Sequence, residues 1–526
     1  MTPTPRLGSL RDLDQVLAAG LSQERWFADK HREIRQLVPK QAFWLSEELP
    51  AVLVLLAEAR FVEGEPALYH LVLGVRPWDR HLGSHMRSIA RRVALDRPSE
   101  HDHRRTPSLA VYDAFADPEL GDQYLGALRG RVKLRGDQGG SLQFRVLHPP
   151  LPTEARLQPN RLGPKDQSQS TVLFGQELLL KVLRRVWAGM SPEVELLEAL
   201  DQQGFPGIAR PLAVVEAELD GSRLSLAVAQ SYLRNGADGF ALALTSLRDL
   251  YGDLLMDADG AVPLPEDVLH KVLNQGGSFA AAATQIGVLT AEMHLALASL
   301  RATEELRPRP LTAEDLQLVA ADLRRLVGNL LERRDPRLEP LSVHAGSLEA
   351  LARRVLDLTP AGSAIRIHGD YHLGQLLRTD QGWHALDFEG RPSLPVAIRR
   401  RKASPLQDVA GMLRSFDYAA TVALRQQIDS QDASAATLEP YGRAWSATVR
   451  DRFLSTYRER VQGTGLIPED PHQVELLLTC LEASQALYEV DYELRSRPEW
   501  VSIPLEGIAR LLQGSAASLP SRGRHR

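Results

Sequence analysis

The spacing of apolar and polar residues divides the chain into three parts. The first part, residues 1 to about 150, mixes helix and strand patterns, and a proline-bearing stretch from His148 onward interrupts it. It predicts a small α+β module followed by a linker or irregular loop. The predicted helix covers residues 10–21, and the predicted strands cover residues 43–45, 51–56 and 68–75.

The second part begins with a hairpin pattern at Ser170. Apolar runs at 171–174 and 178–183 flank the turn, and Ser191 followed by Pro192 predicts a helix start, because serine caps helices and proline fits their first position. Two further strand patterns lie on either side of Asp220-Gly221, a strong hairpin signal. The predicted order is therefore strand, strand, helix, strand, strand.

Helical periodicity dominates the third part, from Gly236 to about Gly514. A short β interruption is predicted within 365–386, and residues 518–526 are expected to fray. The predicted helices cover residues 282–300, 313–331, 348–358, 408–416 and 474–495.

Composition narrows the class of partner. The chain has 526 residues, of which 44% are hydrophobic and 25% charged, as expected for a globular protein of several packed units. A formal charge of -5 provides no broad basic field for nucleic acid or anionic lipid, so a small-molecule partner is favoured. Cys480 is the single cysteine, which excludes a disulfide framework and a thiolate metal site. The longest apolar run, residues 51–57, is too short to span a membrane, and a cytoplasmic location is expected.

A short predicted hairpin around residues 379–382 brings three oxygen-bearing side chains to one end: Asp370, Gln375 and Asp387. Phosphoryl transfer from ATP needs a divalent metal to neutralise the phosphates and a carboxylate to orient and deprotonate the attacking hydroxyl. Magnesium prefers oxygen ligands, so Gln375 and Asp387 together with phosphate oxygens would suffice. The cluster therefore meets the needs of phosphoryl transfer with a bound Mg²⁺ ion.

The amino-acid sequence around these residues resembles the catalytic and metal-binding loops of aminoglycoside phosphotransferase-like kinases. His-Gly-Asp at 368–370 is followed five residues later by an amide and then by Asp-Phe-Glu at 387–389. The resemblance implies that Asp370 is the catalytic base and that Gln375 and Asp387 bind the metal. Within that superfamily the sequence is similar to those of maltokinases, and the likeness includes residues 25–30, 290–298, 408–418, 488–493 and 497–505.

The resemblance implies an α+β, bilobal, protein-kinase-like fold with a small β-rich N-lobe, a large helical C-lobe and an N-terminal α+β cap. The predicted divisions are residues 1–135 for the cap and an intermediate module, 136–232 for the N-lobe, 233–516 for the C-lobe and 517–526 for a flexible tail.

Lys181, inside an apolar strand, fits the lysine that binds ATP phosphates in such kinases. The family match assigns its carboxylate partner to Glu195, while Glu193 and Glu198 stay open because the sequence does not fix the rotation of the helix. Further ATP contacts are expected from a phosphate loop at 166–171 and from a hinge at 229–232. Their candidate residues are Ser168, Ser170, Gln230 and Tyr232.

The acceptor is expected to contact the loops around the catalytic aspartate and the aromatic and acidic side chains of the last helical region. Two departures from maltokinases bear on its identity, namely Arg391 where an acidic residue is usual and Tyr371 where leucine is usual. The candidate acceptor residues are His372, Glu389, Arg391, Tyr488, Glu489, Tyr492 and Trp500.

The resemblance implies transfer of the γ-phosphoryl group of ATP to maltose, giving maltose 1-phosphate for α-glucan or glycogen synthesis, and possible association with a trehalose-isomerising enzyme. Three alternatives stay open. The acceptor could be glucosamine or another sugar, or it could be an aminoglycoside. The protein could also be a catalytically silent pseudokinase that binds a sugar or a partner enzyme.

Overall fold

The computed structural model describes residues 2–24, 26–78, 91–95, 108–136, 139–152, 169–257, 265–275, 277–429 and 435–517. The chain divides into two compact units, each with its own interior. The first unit comprises residues 1–198 and 209–234, and the second comprises residues 199–208 and 235–526.

The first unit contains two large antiparallel sheets. Its helices are α1 (Leu13–Leu21), α2 (Pro118–Arg129) and α3 (Pro192–Gln202), the last of which continues into the second unit. Its strands are β1 (Thr2–Pro3), β2 (Leu10–Arg11), β3 (Ile34–Trp44), β4 (Glu48–Leu49), β5 (Ala51–Phe61), β6 (Ala67–Pro77), β7 (Arg91–Leu95), β8 (Ser108–Asp113), β9 (Lys133–Arg135), β10 (Ser141–Val146), β11 (Gln169–Phe174), β12 (Leu178–Leu183), β13 (Arg185–Val186), β14 (Pro211–Leu219) and β15 (Ser222–Ser231).

One sheet has the strand order β2-β7-β8-β6-β5-β3, with β13 added beside β6, and it is covered on both faces. Alternate residues of β5 enter different cores: Val52 and Val54 pack on the side of α2, whereas Leu53 and Leu55 pack on the side of α1. Burial on both faces explains why the sequence reads as one continuous apolar run there instead of alternating.

The other sheet has the order β11-β12-β15-β14-β10-β9 and shares a core with the first sheet through α2. Tyr124 of α2 lies between Phe115 and Phe144, with ring centroids 5.2 and 5.3 Å away. The predicted division after residue 135 falls between β9 and β10, which pair within this sheet. The cap and the ATP-lobe segment therefore fold around common apolar contacts.

The strand and helix order predicted for the ATP-lobe segment is observed, with hairpins β11–β12 and β14–β15. Asp220 and Gly221 both have left-handed backbones, with φ of 51° and 73°, as a two-residue hairpin turn requires. The helix α3 begins at Pro192, as the serine-proline signal predicted.

The second unit is mainly helical. The helix predicted at 313–331 is found with those bounds, and a reciprocal capping box between Thr312 and Asp315 fixes its start. Its helices are α4 (Gly239–Asp257), α5 (Pro265–Gln275), α6 (Gly277–Ala298), α7 (Ala313–Leu331), α8 (Glu339–Leu356), α9 (Val396–Arg399), α10 (Leu406–Asp429), α11 (Ala435–Val461), α12 (Pro471–Ser496) and α13 (Ser502–Ala517). Its strands are β16 (Ala237–Asp238), β17 (Arg309–Pro310), β18 (Ser363–Ala364), β19 (Leu376–Thr379) and β20 (Gly382–Ala385).

Several helices are longer than the apolar pattern indicated. The helix predicted at 348–358 begins at Glu339, because Leu341 is its one deeply buried residue before Leu348 and gives little periodic signal. Within the described ranges, no helix is both long and apolar enough to cross a membrane.

Candidate active site

The loop that carries Asp370 is held by hydrogen bonds to Asp408, a buried aspartate at the start of α10. The Asp408 carboxylate accepts hydrogen bonds from the backbone amides of His368 at 2.8 Å and Gly369 at 2.9 Å. His294 Nε2 lies 3.2 Å from the same carboxylate, and its Nδ1 lies 2.9 Å from the Tyr457 hydroxyl. Asp408 is only 1% exposed, so these hydrogen bonds replace its lost water.

Burial alone would raise the pKa of Asp408, but the hydrogen bond and charge of His294 and the hydrogen bond from the Gly369 amide outweigh it and hold the pKa below its usual value. Gly369 itself has φ of +82°, a conformation that other residues rarely adopt. Asp408 therefore places a negative charge against the backbone that leads to Asp370.

His368 connects the catalytic loop to the predicted metal loop. Its Nε2 lies 2.8 Å from the Leu386 carbonyl oxygen, so Nε2 donates, and its Nδ1 accepts the Asp370 amide at 3.4 Å. The ring also packs 4.7 Å from that of Phe388. His368 thus contacts the residues on either side of Asp387.

Gln375 and Asp387 lie at one end of the short hairpin β19–β20. The Leu386 amide donates to the Gln375 carbonyl oxygen at 2.9 Å. This hydrogen bond joins Gln375 to the residue immediately before Asp387. Asp387 has φ of +65°, an uncommon backbone for a residue with a side chain. The hard oxygens of one amide and one carboxylate suit magnesium, although the described residues contain no group of three or more His, Cys, Asp or Glu side chains arranged around a metal.

Arg391 places a cation beside Asp370. Its Nε lies 3.9 Å from Asp370 Oδ1, and its guanidinium lies 4.0 Å above the ring of Tyr488. The same guanidinium donates a hydrogen bond to Gln485. Two groups of α12 therefore hold the cation at the edge of the catalytic loop, where only 14% of its side chain is exposed.

His372 lies among the acidic groups of this site. Its Nδ1 accepts the Gly374 amide at 3.1 Å, which caps a short 3-10 turn at Leu373–Gln375. Burial lowers the pKa of its imidazole, while the negative charges of Asp370, Asp387 and Glu489 act in the opposite direction. These electrostatic effects act only at short range, so His372, Asp370, Asp387 and Glu489, all predicted site residues, lie near one another.

Glu489 and the remaining acceptor candidates each lie beside an arginine. Glu489 accepts a hydrogen bond of 2.7 Å from Arg414, and Glu389 Oε2 lies 3.8 Å from Arg399. Beyond them, Arg497 lies 4.8 Å from the ring of Trp500 and 5.7 Å from that of Tyr492, which is 57% exposed. The contacts described here join Tyr492 and Trp500 to Arg497 rather than to Asp370.

In the first unit, Lys181 Nζ donates a hydrogen bond to Glu193, one of the three carboxylates left open by the sequence. Glu193 is therefore a partner of Lys181, and the pairing role that the family match gave to Glu195 stays a prediction. The Ser191 amide, just before α3, donates to Ser225 Oγ of β15 at 3.0 Å, and β15 pairs with β12, the strand that carries Lys181. Glu193 is fully buried.

Glu198, the third candidate, pairs with another cation: Arg145 of β10 donates to it at 2.6 Å. Glu195 is also buried, with 8% exposure.

Two of the predicted ATP contacts are engaged within the first unit. Ser170 lies in β11 instead of a loop, and its hydroxyl accepts a hydrogen bond of 2.9 Å from Arg184. The Tyr232 amide donates to the Glu177 carbonyl at 2.9 Å, so this predicted hinge donor already has an acceptor. Gln230 lies in β15 and is 5% exposed, while Ser168 lies outside the described residues.

Sequence reasoning did not assign roles to Asp408, His294 or Arg414. Asp408 belongs to the segment 408–418 that resembles maltokinases, and it is an acidic residue between the buried Leu406 and Val409. An aspartate on an otherwise apolar helix face could have signalled a buried acceptor, since such a charge requires partners.

The comparisons with known proteins agree with this architecture. Residues 21–117 match a family model described as the maltokinase N-terminal cap domain. A glucosamine kinase of Streptacidiphilus jiangxiensis is 29% identical over 66% of this chain and 72% of its own length. A glucosamine kinase of Mycolicibacterium smegmatis is 27% identical over 66% of this chain and 78% of its own length.

Two solved structures have the same fold. A glucosamine kinase in crystal form B has a TM-score of 0.64 at 22% identity and covers 95% of this chain and 99% of its own. A glucosamine kinase in complex with glucosamine, ADP and inorganic phosphate has a TM-score of 0.63 at 22% identity, covering 97% and 100%. The chain thus has the α+β fold of glucosamine kinases with an N-terminal cap, and its homology confirms the prediction of an ATP-dependent phosphotransferase.

Proposed function

We propose that this chain transfers the γ-phosphoryl group of ATP to a hydroxyl of a neutral sugar, with maltose as the favoured acceptor. The single observation that carries the choice of acceptor is the cation of Arg391, 3.9 Å from the carboxylate of Asp370. The hydroxyl that reacts must approach Asp370, so the acceptor would lie within reach of this positive charge.

The proposed reaction uses the residues in separate roles. Asp370 accepts the proton of the sugar hydroxyl as its oxygen forms a bond to the γ-phosphorus, and the bond from that phosphorus to the ADP oxygen breaks. Gln375 and Asp387 would hold Mg²⁺, which neutralises phosphate charge when bound. Lys181, held by Glu193, would contact the α- and β-phosphates. His372 and Tyr488 would contact the acceptor.

Charge favours a neutral sugar over an amino sugar. An ammonium group about 5 Å from a guanidinium is disfavoured by about 1–3 kcal/mol, depending on the local screening. Tyr488 and Gln485 fix the Arg391 guanidinium, so it cannot easily turn away. A neutral disaccharide avoids this repulsion and can stack a ring face against aromatic side chains.

Glucosamine is the second candidate, because the two relatives named above are glucosamine kinases. A specific feature of the site also favours it. The carboxylates of Asp370, Asp387 and Glu489 act together at His372, and such a concentration of negative charge would attract an ammonium group.

Phosphorus NMR after incubation with Mg-ATP and either maltose or glucosamine tests the proposal. We expect a new phosphomonoester signal with maltose, its loss in Asp370→Asn, and its retention in Asp451→Asn, which alters an exposed carboxylate of α11. Turnover of glucosamine alone would replace maltose with the second candidate. The absence of turnover across a broad sugar panel would favour the pseudokinase alternative.

Arg391→Met tests the reason for the choice. Without the cation, the rate with glucosamine relative to maltose should rise about tenfold or more. An unchanged ratio would show that Arg391 does not select the acceptor.

A further inference from the structure

Two acidic residues of α12, four positions apart, face two donors of α10 that are also four positions apart. Arg414 donates to Glu489 Oε2 at 2.7 Å, and the Tyr418 hydroxyl donates to Glu493 Oε1 at 2.6 Å. Residues four positions apart lie on the same face of a helix, so the two hydrogen bonds join one face of α10 to one face of α12. They fix the register of these helices beside the predicted acceptor residues.

The two carboxylates differ in how completely they are paired. Arg497 donates to both oxygens of Glu493, at 3.0 and 2.8 Å, and only 2% of the Glu493 side chain is exposed. Glu489 accepts the Arg414 hydrogen bond through Oε2, and 17% of its side chain is exposed. Within the described ranges of the chain, Glu489 Oε1 has no hydrogen-bond donor. A carboxylate with one oxygen held and the other open is suited to accept a hydrogen bond from a ligand hydroxyl.

Glu489 lies in the neighbourhood of the proposed catalytic base. Its negative charge acts on the imidazole of His372 together with that of Asp370. The preceding residue, Tyr488, has its ring 4.0 Å from the guanidinium of Arg391, whose Nε is 3.9 Å from Asp370. A sugar whose reacting hydroxyl approaches Asp370 would therefore bring its other hydroxyls near Glu489.

Arg414 is enclosed and held in one orientation. Only 3% of its side chain is exposed, and its guanidinium also lies 3.6 Å from Asp417, one turn further along α10. A Cβ at Gly507 of α13 would collide with Arg414 Nη1, so the guanidinium in this orientation requires glycine there. Burial acts to lower the pKa of Arg414, but the charges of Glu489 and Asp417 outweigh it and hold the pKa above its usual value.

We propose that Arg414 is a positioning residue for the acceptor: it holds one oxygen of Glu489 so that the other accepts a hydrogen bond from a sugar hydroxyl. This inference rests on the proposed function, because it concerns the acceptor side of the same site. A buried ion pair can often be replaced by apolar residues without loss of stability, so packing alone does not explain this one. Arg414 should therefore affect the binding of the sugar more than the binding of ATP.

Steady-state kinetics of Arg414→Met test this role, and the acceptor is whichever of maltose and glucosamine the unaltered protein phosphorylates. We expect the acceptor KM to rise about tenfold or more, the ATP KM to stay within about twofold, and the turnover number to fall less than about threefold. General damage to α10 would instead lower the turnover number, because Asp408 of the same helix supports the loop of Asp370. The control is Arg309→Met, which loses an ion pair of two hydrogen bonds with Asp315 in the same unit and should keep the acceptor KM.

A double-mutant cycle shows whether Arg414 acts through Glu489. Glu489→Gln should raise the acceptor KM by a similar factor, and adding Arg414→Met to it should raise that KM by less than about twofold more. Arg414→Lys, which keeps the cation but loses the planar guanidinium, serves if Arg414→Met does not fold; it should raise the acceptor KM in the unaltered background and not in Glu489→Gln.

An unchanged acceptor KM in whichever Arg414 variant folds would overturn this inference while leaving the proposed function in place. Effects of the Arg414 and Glu489 substitutions that multiply independently would also overturn it. The absence of turnover with either sugar in the unaltered protein would overturn the proposed function and this inference together.

Discussion

Asp408 accepts the backbone amide of Gly369 at 2.9 Å, although the two residues are 39 positions apart. This bond ties the start of α10 to the residue immediately before Asp370. A second close approach supports it: a side chain at Gly411 would place its Cβ 2.5 Å from the Tyr371 carbonyl oxygen. The position of the proposed catalytic base therefore depends on α10, which supplies a charge on one turn and open space on the next.

Replacing Asp408 should damage the loop more than the fold. Asp408→Ala leaves two buried amides and His294 without their acceptor, which should cost about 2–5 kcal/mol of unfolding free energy. The turnover number should also fall at least tenfold, since Asp370 loses its backbone support. Chemical denaturation and steady-state kinetics measure the two effects, with Asp253→Ala as an exposed control.

The pH dependence of this contribution has a defined sign. Because the pKa of Asp408 is lowered in the folded protein, its stabilisation is full above about pH 4 and is lost as the pH falls through the lowered value. Asp408→Ala should therefore lose stability less steeply in acid than the unaltered protein. Equal slopes, or unchanged turnover, would contradict the role assigned to Asp408.

Local patterns predicted the fold well where one segment determines its own structure. The turn at Asp220-Gly221 and the capping box at Thr312 and Asp315 involve residues close in sequence, so their chemistry can be recognised without tertiary information. The cap boundary could not be placed in this way. The pairing of β9 with β10 and the shared core around Tyr124 depend on contacts between segments.

In the candidate site, too, some features could be predicted from the local sequence and others depend on contacts between distant segments. The order of Asp370, Gln375 and Asp387 around a hairpin could be predicted from spacing, whereas the choice between Glu193 and Glu195 could not. These residues differ by two positions, so a rotation of α3 exchanges them, and the Ser191 amide just before that helix donates to the distant Ser225. The strand position of Ser170 likewise depends on pairing with Val182 and on Arg184.

Glu193 should matter more for ATP binding than Glu195. Glu193→Gln weakens the charge that holds Lys181, so we expect the KM for ATP to rise about tenfold or more, with a smaller rise in Glu195→Gln. Lys181→Met should have the largest effect. Steady-state kinetics at varied ATP measure the order, and a larger effect of Glu195→Gln would return the pairing role to that residue.

Tyr371 stands where maltokinases usually have leucine. It contributes a buried hydrogen bond. Its hydroxyl lies 2.9 Å from Thr290 Oγ1 of α6, and burial raises the pKa of the phenol. Tyr371→Phe should cost about 1 kcal/mol of unfolding free energy and change the turnover number by less than about threefold.

A double-mutant cycle with Thr290→Val isolates this bond, and a coupling of about 1 kcal/mol is expected. Tyr492→Phe is the control, because that hydroxyl belongs to an exposed residue. A coupling near zero would show that the two hydroxyls do not stabilise each other. A large change in acceptor KM would instead give Tyr371 a direct role in specificity.

His70 links the two sheets of the first unit and should make that unit sensitive to acid. Its amide donates to the Arg184 carbonyl at 2.8 Å, and its Nδ1 lies 3.1 Å from the Leu183 carbonyl oxygen. Burial, aided by the charge of Arg184, lowers the pKa of the imidazole to about 3. The folded protein therefore keeps His70 neutral, whereas the unfolded chain takes up a proton below about pH 6.5.

Stability from this residue is full above about pH 6.5 and is lost progressively as the pH falls toward the folded value. At about pH 5 the loss amounts to about 2 kcal/mol, which is 1.5 pH units at about 1.36 kcal/mol each. His70→Gln should remove this component, while His31→Gln, at an exposed site of the same unit, should keep it. Urea unfolding at pH 7 and pH 5 measures the difference, and the same acid sensitivity in all three proteins would mean that His70 titrates normally in the folded state.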